Sequence, residues 1–253
     1  MNVLVWALAA AGTVYAATSP GTADHMQACS FKCTTAVELS CRYWLALPAG
    51  YENDPARRWP LLLFLHGAGE RGDDLELVKK HGPPRRIAEG RTYPFIVAAP
   101  QCPAGAWWED VRQVQTLAAL LDELERALRV DPDRVYLTGL SMGGYGTWRL
   151  AAEYPDRFAA IVPICGGGRW FMADRIRHLP AWVVHGAKDT VVPPQESQLM
   201  VEALRRAGGA VEFRLDPEAG HDSWTAAYDE PQLYEWLLRQ VRRPRTPAVD
   251  SRR

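Results

Sequence analysis

From about residue 60 onward the chain alternates between two hydrophobic rhythms. Short continuous apolar runs, "PLLLFLHG", "PFIVAAPQ", "RVYLTG", "FAAIVPIC", "AWVVHG" and "VEFRL", each stop in a loop. Runs of that length with no polar alternation are expected of strands buried on both faces of a parallel sheet. Between them stand amphipathic stretches. In "QVQTLAALLDELERALRV" the residues Val114, Leu117, Leu121, Leu124 and Leu128 recur at spacings of three and four, which gathers them on one helix face. Further helices are expected over 144–153, 195–206 and 231–240, and "SCRYWLALP" with the residues before it predicts antiparallel edge strands. Strands alternating with helices in this way call for an α/β fold, a mostly parallel, doubly wound sheet covered on both faces.

Composition narrows the picture without changing it. The chain has 253 residues, 47% of them hydrophobic, enough for one large core. No repeat or Gly/Ser linker divides it, so a single catalytic domain is expected over 29–241. With Lys+Arg 29 against Asp+Glu 30, no global field favours nucleic acid or an anionic membrane surface. The first residues, "MNVLVWALAAAGTVYAATSP", are apolar and close in small residues. Val14-Tyr15-Ala16 approximates a signal-cleavage pattern, so 1–17 is expected to be a signal peptide and the protein secreted or periplasmic. The absence of Lys or Arg ahead of the apolar run leaves an uncleaved interfacial helix as the alternative. The run is short of the roughly 20 residues of a membrane span, so no stable membrane anchor is expected. The tail "RRPRTPAVDSRR", 242–253, has charge and proline but no period and is expected to be disordered. Cys29, Cys33, Cys41, Cys102 and Cys165 form no C-x-x-C pair and make no zinc pattern with the histidines, so no metal is expected. In an exported chain Cys33 and Cys41 could pair, but an odd count leaves the connectivity open.

The chemistry gathers at "YLTGLSMGGYG". Gly139-Leu140-Ser141-Met142-Gly143 falls where a predicted strand gives way to a predicted helix, the context in which a Gly-x-Ser-x-Gly serine becomes a nucleophile on a strained turn. An ordinary helix-capping serine is the bland alternative. An unassisted serine is a poor nucleophile, so a base and an orienting acid are needed later in the chain. Asp189 follows the run "AWVVHG" and His221 lies in a loop before the last helix, giving the order Ser, Asp, His expected on such a sheet. His221 would act as general base and Asp189 would fix its tautomer. His66 and His185, each at the end of an apolar run, are expected to be structural.

An anion hole completes the set. The loop "HGAGERG" is expected to offer a backbone N–H from Ala68, with Gly69 next to it, and Met142 supplies the other because it follows the nucleophile. Glu70 and Arg71 are expected to hold that loop's shape by pairing with each other or with neighbours. Trp107, Trp108, Trp170, Phe171 and Trp224 fall in loops at the carboxyl ends of strands, and the four tryptophans are expected to contact substrate, or else to pack loops onto the sheet. "KKHGPPRRIAEG" adds a basic stretch, read as a solvated helix face ahead of a site for acidic substrates.

These segments together resemble the α/β-hydrolase superfamily of serine hydrolases, and within it predicted esterases and prolyl-oligopeptidase-like peptidases. The similarity runs from about Tyr43 to Gln240 through "YWLALPAGY", "LLLFLHGAGERGDD", "VYLTGLSMGGYGTW", "VVHGAKDTVVP" and "GHDSW". The resemblance implies a Ser141, Asp189, His221 triad and no cofactor. Larger relatives carry a propeller or a long insertion; here "GGGRWFMADRIRHLP" is a short connection, so no large cap is expected and the site should be open. The leading reading is an esterase for short acyl or aryl esters working through an acyl-enzyme on Ser141. A peptidase for small peptides, and a non-catalytic binding protein on the same fold, are the alternatives.

Overall fold

The computed structural model describes residues 36–242. The signal segment expected over 1–17, Cys29 and Cys33 with its possible partnership to Cys41, and all but the first residue of the basic tail lie outside the described residues. Strand β1 (Tyr43–Ala46) runs antiparallel to β3 (Ile96–Pro100) at one sheet edge. All other neighbours are parallel: β2 (Trp59–Leu65), β4 (Val130–Leu140), β5 (Ala160–Ile164), β6 (Ala181–Gly186) and β7 (Val211–Asp216). The order across the sheet is β1-β3-β2-β4-β5-β6-β7. The expected antiparallel edge thus reduces to one strand among the described residues, and each of the six apolar runs has a parallel neighbour.

Six α-helices flank this sheet among the described residues: α1 (Gly82–Ala88), α2 (Val111–Ala127), α3 (Met142–Glu153), α4 (Gln195–Arg206), α5 (Trp224–Asp229) and α6 (Pro231–Arg239). The pleat sends alternate residues of β2 to opposite faces. Leu61, Leu63 and Leu65 pack in one core with Leu117 and Leu121 of α2, Trp148 of α3 and Leu204 of α4. Leu62 and Phe64 pack in the other with Tyr228 of α5 and Trp236 and Leu237 of α6. All seven residues of β2 are buried, and each of its leucines gains about 2 kcal/mol over exposure. This double burial is why the central strands show no polar alternation, whereas β7 at the far edge alternates between partly buried and exposed positions. No helix among the described residues is long and apolar enough to cross a membrane.

The loop leaving β2 is pinned from several sides by His66, which is buried. Its Nε2 accepts the backbone N–H of Cys102 at 3.0 Å, so the ring proton sits on Nδ1 and is donated to the carbonyl of Gly67 at 2.6 Å. The His66 carbonyl accepts the indole N–H of Trp108 at 3.0 Å. Protonating Nε2 would set two N–H groups against each other. Burial pushes the His66 imidazole down, the Gly67 bond opposes this, Arg71 adds to it, and the result is about 4.

A histidine in an unfolded chain titrates near ~6.5, so between that value and about 4 the unfolded chain binds the extra proton more readily. The stabilisation is therefore full above ~6.5 and is lost as pH falls toward 4, by a total on the order of 3 kcal/mol. Urea unfolding of the wild type should show this fall between pH 7.5 and 4.5, and His66→Gln should show a shallower one. Parallel slopes in the two proteins would contradict the assignment.

Candidate active site

The serine stands at the tightest point of the molecule. Ser141 follows β4 and precedes α3 with φ 52 and ψ −117, a conformation that costs a non-glycine residue about 1–3 kcal/mol unless its surroundings enforce it. Those surroundings are backbone. A Cβ added to Gly143 would lie 2.0 Å from the Leu65 carbonyl oxygen, and one on Gly139 would lie 2.3 Å from the Gly143 oxygen. One on Gly144 would lie 2.5 Å from the Ile164 oxygen, and one on Gly146 would meet the Cβ of Trp108 at 2.4 Å. The glycines of "GLSMGGYG" let α3 seat directly on β2, β4 and β5. The helix begins at Met142, two residues earlier than expected, because the strained serine completes the turn in one step. Met142 is therefore at the open end of a helix, where N–H groups have no intrahelical acceptor.

His221 and Asp189 complete a line with this serine. His221 Nε2 lies 3.0 Å from Ser141 Oγ, and His221 Nδ1 lies 2.7 Å from Asp189 Oδ2. Asp189 is buried, and its Oδ1 accepts the backbone N–H groups of Val191 and Val192, both at 2.9 Å. Burial pushes its carboxyl up, but the His221 bond and the Val192 and Val191 N–H groups together outweigh that and hold it below the usual carboxylate value. The acid and base loops meet backbone to backbone: a Cβ on Gly186 would lie 2.1 Å from the Gly220 oxygen, and Lys188 N donates to the Ala219 carbonyl at 2.9 Å.

His185, expected to be a packing residue, is fully buried and also touches the acid. Its Nε2 lies 3.2 Å from Asp189 Oδ2 and 2.9 Å from the Val192 carbonyl, and its Nδ1 lies 2.7 Å from Ser197 Oγ. With two acceptors at Nε2, that nitrogen carries a proton, and the Ser197 hydroxyl beside Nδ1 donates to the Gly166 carbonyl at 2.8 Å. His185 thus braces both the aspartate and the turn that caps it. Sequence alone held no sign of this beyond the four-residue spacing to Asp189.

Cys165 also closes in on this line. It directly follows β5 at φ 41, and its Sγ, a carboxylate oxygen of Asp189 and a ring nitrogen of His221 lie within 4.8 Å of one another. Three such ligand atoms could in principle hold a metal ion. Here both ring nitrogens of His221 are already hydrogen-bonded, one to Asp189 and one to Ser141, and burial pushes the thiol's pKa up, away from the thiolate that binds metal.

The expected aromatic contacts divide. Trp107 and Trp170 stand 47% and 58% exposed, and Phe171 packs edge-on to Trp170. Trp224 is mostly buried, with its ring edge-on to His221 at 5.2 Å. Trp108 departs from the expectation of a substrate contact: it is 1% exposed, lies against Gly146 and holds the His66 carbonyl, so it belongs to the scaffold. A bulky residue opposite a helix glycine is a long-range fit that a local loop assignment misses.

The loop "HGAGERG" reaches the serine at Gly67, where an added Cβ would sit 3.8 Å from Ser141 Cβ. Ala68 and Gly69 continue into a short 3-10 turn, Ala68–Glu70. Arg71 holds this turn as expected, donating to the Ala68 carbonyl at 2.9 Å and the Ala106 carbonyl at 3.3 Å and lying over the Trp107 ring. Glu70 does not pair with it; its side chain turns the other way, toward His81. In the basic stretch Arg85 and Arg86 pair with Glu89, and Arg86 also with Asp229, so their charge is met on the surface.

Comparison with known proteins agrees with the fold. The poly(3-hydroxyoctanoate) depolymerase of Pseudomonas fluorescens is 28% identical over 232 residues, covering 75% of this chain and 82% of the relative. A bifunctional acetylxylan esterase/xylanase of Neocallimastix patriciarum is 30% identical over 150 residues, 58% of this chain and 22% of the relative. Among solved structures, a thermostable esterase superposes with a TM-score of 0.70 at 34% identity, over 79% of this chain and 59% of that one. The chain thus spans about a fifth of the xylan-active relative and about three fifths of the thermostable esterase. The Dienelactone hydrolase family model matches residues 99–234, which takes in the serine, aspartate and histidine alike, and the chain belongs to that family.

Proposed function

We propose that this protein is a serine hydrolase of carboxylic esters, acting through an acyl-enzyme on Ser141. The observation that carries the reading is the unbroken Ser141–His221–Asp189 hydrogen-bonded line, anchored on a strained strand-to-helix turn. An acetylxylan esterase and a solved thermostable esterase among the similar proteins support the substrate class.

In the first half-reaction Ser141 Oγ attacks the ester carbonyl carbon while His221 Nε2 takes its proton. The resulting imidazolium is stabilised by Asp189, whose carboxyl is held in its ionised form. The negative oxygen of the tetrahedral intermediate is received by the backbone N–H of Met142 and that of Ala68, with Gly69 beside it. Collapse breaks the bond to the alcohol, which takes the proton back from His221. Water, deprotonated by the same ring, then attacks the acyl-enzyme and releases the acid and free Ser141. His185 is a positioning residue in this scheme because it touches the aspartate and not the substrate.

Trp107 and Trp170, exposed where the loops after β3 and β5 emerge, supply aromatic contacts for short acyl or aryl groups. With only a short 3-10 segment, Trp170–Ile176, between β5 and β6, little covers the site, which favours short chains over long lipids. The apolar leader closing at Val14-Tyr15-Ala16 supports export of the mature enzyme.

Hydrolysis of 4-nitrophenyl acetate, butyrate and octanoate tests this directly. The wild type should prefer the two shorter esters, and Ser141→Ala should lose at least about a thousandfold in kcat with its fold intact. Equal activity in Ser141→Ala, or inactivity of both on every ester, would overturn the reading. Asp189→Asn should keep the serine and its turn but lose on the order of a thousandfold or more in kcat, with a much smaller change in KM. A loss confined to KM would remove Asp189 from the mechanism.

A further inference from the structure

Beside the triad stands a buried acid that the ester chemistry does not use. The Glu70 side chain is 8% exposed, and among the described residues no donor hydrogen-bonds either of its carboxylate oxygens. Oε2 lies 3.2 Å from the point where a Cβ on Gly67 would sit, the same point that is 3.8 Å from Ser141 Cβ. Those two distances hold the carboxylate oxygen within about 7 Å of the nucleophile's Cβ. Buried acids normally carry a partner because desolvation without one is costly. The nearest basic group is His81 Nε2, at 3.8 Å from Oε1, too far for a direct hydrogen bond.

The state of His81 defines what fits between them. Its ring meets Trp224 edge-on, and its Nδ1 accepts the Trp224 indole N–H at 3.3 Å. Neutral His81 then carries its proton on Nε2, on the side of Glu70. The gap is bounded by an acceptor, Glu70 Oε1, and a donor, His81 Nε2–H. An oxygen seated at ordinary hydrogen-bond distance from both, ~2.8 Å, spans such a gap. A hydroxyl satisfies both sides, donating to Glu70 and accepting from His81. An ammonium group has no lone pair for His81, and a carboxylate has no proton for Glu70. The His81 side chain is 30% exposed, so the gap opens to solvent. It is one ring away from the base, since Trp224 also packs on His221.

We infer that Glu70 and His81 form a hydroxyl-binding subsite beside Ser141, so that the enzyme selects esters carrying a free hydroxyl close to the scissile bond. The inference rests on the ester hydrolase reading and adds the substrate class. Hydrogen bonds that involve a carboxylate are the stronger kind, and the selectivity expected from this one is about tenfold or more in kcat/KM.

Two matched pairs of esters test it and show on which side of the ester the hydroxyl sits: methyl 3-hydroxybutyrate against methyl butyrate for the acyl side, and 2-hydroxyethyl acetate against ethyl acetate for the alcohol side. The readout is the kcat/KM ratio within each pair. The wild type should favour the hydroxylated ester about tenfold in at least one pair. Glu70→Leu and His81→Phe should each bring that ratio close to one, while Glu70→Gln, which keeps an acceptor, should retain part of it. A purely structural role would lower both members of a pair together and leave the ratio unchanged. No preference in the wild type, or a preference that survives both Glu70→Leu and His81→Phe, would overturn the subsite and leave the esterase reading standing. Failure to hydrolyse any of the four esters would overturn the esterase reading itself.

Discussion

Everything at the active end of this molecule depends on one close approach, the seating of the first turn of α3 on the backbone of β2, β4 and β5. The glycines at 139, 143, 144 and 146 have carbonyl oxygens or a tryptophan Cβ where a side chain would begin. With that contact made, Ser141 has no room for a relaxed conformation and is held at φ 52. Its amide donates to the Ile164 carbonyl at 2.9 Å, which ties the turn to β5. The local strain is offset by two extensive cores, one on each face of the sheet. It leaves the serine at the sheet's carboxyl edge, beside the open end of a helix.

A second constraint acts on the partners of the serine. Asp189 has its charge met on both oxygens, by the Val191 and Val192 amides on one and by His221 and His185 on the other. His185 is itself bonded to Ser197, which lies 2.8 Å from the Gly166 carbonyl beyond β5. The acid is thereby linked to the strand next to the nucleophile by a short chain of buried polar contacts. In the proposed mechanism such preorganisation favours catalysis because little reorganisation remains when the imidazolium forms. The loop after β2, proposed to hold the anion, is fixed in the same manner by His66, Trp108 and Arg71.

Much of this was legible in the chain because it is written locally. Continuous apolar runs mark doubly buried strands in five of the six cases; the sixth, "VEFRL", is the half-exposed edge strand β7. The serine motif is a five-residue pattern at a strand end, and Asp189 and His221 follow strand ends in the expected order. What could not be read depends on contacts between distant segments. Trp108 is buried because Gly146 makes room for it. Glu70 faces His81 because a 3-10 turn and the start of α1 converge. His185 reaches Asp189 only because the turn after β6 folds back. The one antiparallel edge strand among the described residues and the start of α3 two residues ahead of its periodicity have the same origin, since both are settled by packing.

The most direct test of the central claim is peptide mapping after reaction with a fluorophosphonate. The account predicts one phosphonate per chain, on the peptide bearing Ser141, with Cys165 unmodified beside it and no labelling once the protein is unfolded. An ester-hydrolysing protein that takes up no label, or that carries it on another residue, would contradict the claim that the strained serine is the nucleophile.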